Sequence, residues 1–340
     1  MPRRIPATAP SLAFDVVAPR HFIEGWGKPL RFGDQVVLAA GGQDADSVLV
    51  AFDAADGQLR WTHAEPERGG WLTPPCRLGD EIVTLLRTGT TVTEIHLSPQ
   101  GAVTARHEFD ASDVHPPRPV SDTDYVLLER TRIETPFSTS LRRRGRAIWR
   151  VDESLELATN EWCVTRRDDG YAVRRLPSPK PVFLQETGVG RGFVSGIACT
   201  PETIVAIEHK ALVARDLATG AHLWSFSRPN EAIYDVEADS AVVMQTLRSG
   251  ENDDEVICLY VLSLLDGTLI ASAPIPGRGY LLALDATHIL TNESGTLLCR
   301  VLAEPTATAW RLVLPPHRSL AVFEDAIYLS SNGRLRAYRP

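Results

Sequence analysis

Arginines recur in this chain just ahead of short apolar runs, several of them beside a glycine and an aromatic ring. The segments read APRHF with Arg20, PERGGW with Arg68 and Trp71, and PPRPV with Arg118. They continue as VGRGF with Arg191, SRPNEA with Arg228, PGRGY with Arg278 and Tyr280, and PHRSL with Arg318. A guanidinium is a rigid fork that matches carboxylates and phosphates, and a neighbouring ring supplies a face to stack on. The chemistry such a set offers is capture of an anion or an acidic peptide. The competing reading is structural. Arginine is the dominant base here, with lysine only at Lys28, Lys180 and Lys210, and it would bond carbonyls of neighbouring repeats.

Residues that move protons or hold metals are sparse. No two of the nine histidines stand at metal-ligand spacing. His21, His63, His115 and His317 fall near the arginine segments, and His115 and His317 are the candidates for acid–base work. No P-loop, G-x-S-x-G, H-E-x-x-H or EF-hand loop occurs. Gly188-x-Gly190-x-Gly192 lacks the helix a dinucleotide loop opens. The carboxylates of Ser249 to Glu255 (SGENDDE) have the oxygen chemistry calcium prefers but the wrong spacing, and read as a solvated hairpin loop. No metal, no cofactor and no catalytic residue are expected.

Bulk properties narrow the classes further. The chain has 340 residues, 44% hydrophobic and 23% charged, with a formal net charge of −8. That is the composition of a soluble globular protein, and the acidic total argues against nucleic-acid binding. The five cysteines are scattered and include no C-x-x-C pair, so buried thiols are expected rather than a disulfide frame. The segment MPRRIPATAPSLAFDVV has no apolar core of the ~7–15 residues a signal peptide needs. No run of ~18 apolar residues exists either. The expectation is a cytoplasmic protein without a membrane partner.

The arginine segments gain meaning from the elements between them. Val48 to Trp61 (VLVAFDAADGQLRW) recurs as Ala211 to Trp224 (ALVARDLATGAHLW). Its signature is an apolar strand, Asp, three residues, Gly, three residues, Trp. Gly57–Trp61, Gly145–Trp149 and Gly220–Trp224 keep the Gly-x-x-x-Trp spacing; Gly101–Ala105 and Gly267–Ala271 lose the ring; Trp310 keeps it without the glycine. The wide gap between 149 and 224 holds one degenerate copy around Tyr171 to Gln185. Short β-rich runs with turn signals every ~8–12 residues indicate an all-β fold, and a period of ~40 residues is that of a four-stranded propeller blade.

Eight blades are expected, seven being the alternative because the fourth copy is faint. Residues 1–10 read as a tail and 11–340 as one β-propeller domain. The last unit, 317–340, has only three strands, and the N-terminal segment 11–17 should supply its fourth. Such closure removes open sheet edges. Glycine allows the tight turn, aspartate bonds the turn backbone, and tryptophan fills the space between blades. One such ring buries ~150–250 Å², worth ~4–6 kcal/mol as an upper bound.

LVAFDAADGQLRW and LVARDLATGAHLW resemble the pyrroloquinoline-quinone-type repeat, apolar strand followed by A-x-D-x-x-x-G-x-x-x-W. The resemblance implies a quinoprotein-dehydrogenase-like propeller. That family includes quinone-dependent alcohol dehydrogenases and non-catalytic members such as an outer-membrane assembly lipoprotein. Its enzymes carry adjacent cysteines and calcium-binding carboxylates around the quinone, and this sequence has no Cys-Cys pair. It also shows neither the lipoprotein's leader nor its lipid-attachment cysteine. The resemblance therefore implies a non-catalytic member.

In a propeller the links from one blade's outer strand to the next blade's inner strand ring the mouth of the central channel. Aligned on the repeat, Arg20, Arg68, Arg118, Arg191, Arg228, Arg278 and Arg318 occupy seven of eight such links. The longest loops, Ala40 to Ser47, Thr131 to Ser140 and Ser249 to Glu255, belong to the same face, and loops on a rigid scaffold are where binding resides. The function expected is a binding or scaffold propeller that captures a protein or peptide of acidic character there. The alternative is an enzyme of lyase, isomerase or hydrolase type acting on a small anionic substrate in the channel, with His115, His317 or Tyr280 moving protons. Quinone-dependent redox chemistry ranks third.

Overall fold

In a computed structural model the described residues are 5–6, 8–17, 28–42, 45–65, 70–132, 134–187, 197–228, 231–249, 255–275, 279–315, 319–323, 325–331 and 334–340. They form eight antiparallel sheets and no helix. Each sheet is one blade. Blade 1 runs outward as Leu30–Phe32, Gln35–Gly42, Ala45–Asp53 and Leu59–Glu65. The inner strands of blades 2 and 3 are each broken in two, Trp71–Leu72 with Cys76–Leu78 and Asp113–Val114 with Arg118–Pro119. Inner strands Ser154–Ala158, Ile197–Cys199, Glu231–Ala238, Gly279–Leu284 and Ser319–Val322 open blades 4 to 8.

The burial of each strand follows its place in the blade. Second strands are buried on both faces and read as continuous apolar runs, as in Glu81–Thr88 (EIVTLLRT). Outer strands alternate, and Val103–Asp110 (VTARHEFD) shows exposed and half-buried residues in turn. Successive blades pack face to face, each interface with its own apolar cluster. Val37, Leu49, Ile82 and Ile95 fill the interface of blades 1 and 2, for example, and Val205, Trp224, Val242 and Tyr260 that of blades 5 and 6.

The repeat residues build these interfaces. Asp53 Oδ1 accepts from the Ala55 N–H at 2.6 Å, and the Gly57 N–H donates to the Asp53 carbonyl at 2.9 Å. The indoles of Trp61, Trp149 and Trp224 then reach the corresponding turn of the next blade. Trp61 Nε1 donates to the Pro99 carbonyl at 2.9 Å, Trp149 to Pro177 at 2.8 Å and Trp224 to Leu264 at 2.8 Å. Gly101, at φ +80°, stays a glycine for a second reason: a Cβ there would stand 2.6 Å from the Trp61 ring. Blade 4, the faint copy, is complete, with Phe183 opposite Val173 in the tryptophan's place.

The ring closes as the sequence implies. Ser11–Val17 pairs antiparallel with Arg334–Arg339, completing blade 8. Phe14 takes the tryptophan position and packs with Val36, Phe52 and Tyr328 at the interface with blade 1. Ahead of this strand, residues 5 and 6 do not hang free. The Ile5 N–H donates to Asp285 Oδ2 at 2.7 Å, and Trp310 Nε1 donates to the Pro6 carbonyl at 2.6 Å. Removing residues 1–6 orphans a buried indole N–H, which costs ~1–3 kcal/mol. A fall of a few degrees in the thermal midpoint is expected; an unchanged midpoint would show that the segment contributes nothing.

The five cysteines form no disulfide, and burial pushes the thiols of Cys76, Cys163, Cys199 and Cys299 up to about 12.

Candidate functional site

Because the four strands of a blade alternate in direction, the hairpin joining the second and third strands lies at the same end as the link into the next blade. At that end, blades 2 and 3 hold a row of paired side chains. Trp71 opens the inner strand of blade 2 opposite Arg87, whose guanidinium carbon lies 5.9 Å from the indole centroid. Arg87 Nη1 donates to the Ser112 carbonyl at 3.0 Å and to Asp113 Oδ1 at 3.3 Å. Asp113 also accepts from Arg130 Nη2 at 2.9 Å. Arg130 covers the Phe137 ring at 4.8 Å, and His115 meets the same ring edge-on at 5.1 Å. One carboxylate thus serves two guanidinium groups, leaving the row with a net positive charge.

Beside this row is a cleft of about 460 Å³ lined by Arg87, Gly89, Thr90, Ser112, Thr131, Arg132 and Glu134. Its walls are the blade 2 hairpin, the link into blade 3 and the loop that follows Arg130. Arg132 is exposed and makes no side-chain ion pair among the described residues. Burial lowers the pKa of His115; Asp113 opposes this, and Arg118 and Arg130 add to it. Its imidazole is therefore neutral at neutral pH. Among the described residues no three His, Cys, Asp or Glu side chains converge as metal ligands.

The residues singled out from the sequence divide in three ways. Trp71 and His115 belong to the row just described. Arg228 follows the outer strand of blade 5 and is exposed, its guanidinium 5.4 Å from the Phe226 ring and 5.1 Å from that of Tyr260. Tyr280 is the second residue of the blade 7 inner strand, 48% exposed, and its hydroxyl accepts from Asn292 Nδ2 at 2.8 Å. Arg20, Arg68, Arg191, Arg278, Arg318 and His317 lie outside the described residues.

Arg118 is not where the alignment of links put it. It lies in the second half of the blade 3 inner strand, paired with Val126, next to the turn that leads into Tyr125–Arg130. The link into blade 3 is Ala111 and Ser112, and the link into blade 4 is Asp152 and Glu153. By chain position, arginines therefore fall in six of the eight links, and blades 3 and 4 lack one. Prolines misled the alignment. An inner strand has a free edge that tolerates proline, so Pro116 and Pro117 sit in the break of the blade 3 inner strand and Pro119 in its second half, and none is in a link.

Sequence reasoning passed over Arg87, Asp113, Arg130 and Arg132. The signal available was the Thr131 to Ser140 loop, read as a long loop of this face. Nothing local showed that Asp113 meets two arginines from neighbouring blades.

No protein-family model matches the chain, and no curated protein matches it. Solved structures do match, as folds. The C-terminal WD40 domain of Sif2 is 13% identical, with 98% of this chain and 99% of that chain covered, at a TM-score of 0.67. Sqt1 from Saccharomyces cerevisiae is 9% identical with 100% of both chains covered, again at 0.67. The quinohemoprotein alcohol dehydrogenase of Comamonas testosteroni is 10% identical at 0.61, covering 99% of this chain and 78% of that one. The architecture is thus shared with quinoprotein dehydrogenases, as the repeat implies, and equally with WD40 propellers.

Proposed function

We propose that this eight-bladed propeller is a binding module that captures a protein or peptide segment of acidic character on its loop face, at the cleft between blades 2 and 3. The carrying observation is that cleft of about 460 Å³, with Arg87 and Arg132 in its lining. Trp71 and Phe137 stand alongside, each under a guanidinium. Carboxylates entering the cleft would meet charged donors, and apolar side chains would meet rings. In the sequence, the links into blades 1, 2, 5, 6, 7 and 8 also carry arginines. A local excess of positive charge attracts acidic segments even on a protein whose total is negative. Cytoplasmic residence belongs to the same proposal, and cell fractionation tests it.

Arg132→Glu removes an exposed charge that holds nothing else in place, so the fold should survive. Labelled acidic decapeptides should bind the wild type with marked salt dependence, and Arg132→Glu should weaken them about tenfold, with a shallower salt slope. Fluorescence anisotropy at two ionic strengths reads both. Equal affinity and equal salt slope in the two proteins would remove the cleft from consideration.

A further inference from the structure

Arg118 occupies a position that four other blades give to a small side chain, two give to leucine and blade 6 gives to Glu237. Registered across the strands on the outer-strand tryptophan, its counterparts include Cys76, Ala198, Ala283 and Ala321, all buried. Of the eight blades only blade 3 places a cation there, and such departures from a repeat concentrate at functional sites. The inner strands line the central channel, and Arg118, on one of them, is exposed.

Its surroundings leave it short of partners. Arg118 Nη1 donates to the Glu156 carbonyl of blade 4 at 2.7 Å. That carbonyl is available because β-bulging between Leu155 and Leu157 takes Glu156 out of the ladder. The Nε and Nη2 groups, the edge that grips an oxyanion with two parallel bonds, have no protein acceptor among the described residues. The Glu156 carboxylate is turned to Arg166, 3.5 Å away. Arg118 is solvent-exposed, but the atoms crowded around its guanidinium hold its pKa down, with Glu156 opposing only in part, and burial pushes the Glu156 carboxyl up. Pro116, Pro117 and Pro119 carry no N–H, so the side chain of Arg118 dominates what this stretch can donate.

We propose that Arg118, with Glu156 and Arg166 beside it, forms an oxyanion site in the channel that binds a small carboxylate or phosphate along the open edge of the guanidinium. The bound anion supplies the paired acceptors that the described residues do not offer to this edge. This site is separate from the loop-face cleft, and neither depends on the other.

Calorimetric titration of the full chain with succinate, and in a second arm with inorganic phosphate, tests it. Saturable binding is expected in at least one arm, and the arm that saturates identifies the ligand source. Arg118→Met should weaken that binding at least about tenfold. The variant should fold, because other blades carry apolar residues at this position, and its thermal midpoint checks this. Glu156→Gln removes a competing negative charge and should tighten binding severalfold. Arg118→Lys keeps the charge but loses the fork and should fall between. If neither anion saturates the wild type, or Arg118→Met binds as the wild type does, the arginine is only a staple between inner strands and the proposal fails.

Discussion

Gly57→Ala should destabilise the protein far more than Gly33→Ala, although both glycines sit in the left-handed region, at φ +77° and +60°. A Cβ at Gly33 meets nothing within 4 Å, so that exchange carries only backbone strain, ~1–2 kcal/mol. A Cβ at Gly57 would lie 2.7 Å from the Phe14 ring and 2.8 Å from Val16. Both residues belong to the N-terminal strand that completes blade 8. Overpacking adds ~1–3 kcal/mol, and here it presses on the one strand that closes the ring. The expected outcome is a loss of ~2–5 kcal/mol at Gly57, with faster proteolysis near the N-terminus. Equal losses at the two glycines would mean that Phe14 gives way and that closure does not depend on this seam.

The second large effect concerns charge buried between blades 2 and 3. His96 is 1% exposed and bridges two carboxylates, with Nε2 2.5 Å from Glu94 and Nδ1 2.8 Å from Glu81. Glu94, fully buried, also accepts from the Tyr125 hydroxyl of blade 3 at 2.5 Å. Glu81 accepts from Thr104 at 2.6 Å, and the His107 ring stands edge-on to His96 at 5.6 Å. Burial by itself would lower the His96 pKa, but its bonds to Glu94 and Glu81 overcome this and raise it above 6.5. Burial would likewise raise Glu81, yet its bonds to Thr104 and His96 hold it below 4.5.

These directions fix the pH response. A raised histidine pKa stabilises fully below the unfolded value of 6.5, and the contribution fades as pH climbs through the folded value. A depressed carboxylate pKa stabilises above 4.5 and fades as pH falls through the folded value. Both contributions are present together between about 4.5 and 6.5, so stability should decline from pH 6 to pH 8.5. His96→Leu leaves Glu94 buried without its partner, which costs ~3–5 kcal/mol at pH 6. It should also abolish much of the decline above pH 6.5. Denaturation curves at pH 6 and 8.5 for both proteins decide the matter, and identical pH slopes would rule out His96 as the titrating group.

Most of the fold was legible because it is written locally. Asp53, Gly57 and Trp61 span nine residues, and their copies recur wherever the same turn and ring are needed. Even the faint fourth blade kept its strands, although Phe183 had replaced the tryptophan. The site was less legible. Arg118 reads like its neighbours in a list of arginine segments, because a proline-rich inner strand and a proline-rich link have the same composition. Trp71 and His115 drew attention as isolated residues, whereas their partners Arg87, Asp113 and Arg130 did not.

The sequence by itself determined the blade unit and the closure by Ser11–Val17, and favoured eight blades over seven, a choice that the complete fourth sheet decides. Each of these depends on short-range periodicity, turn chemistry and one ring per repeat. Only the tertiary structure decided which charges meet. Glu94 finds Tyr125 and Arg87 finds Asp113 across the interface of two blades. Those faces come together when each strand's register and each blade's packing are set, and no spacing along the chain encodes the encounter. The same holds for Arg118, whose open guanidinium edge exists because a bulge in the next blade turns one carbonyl toward it and no carboxylate follows.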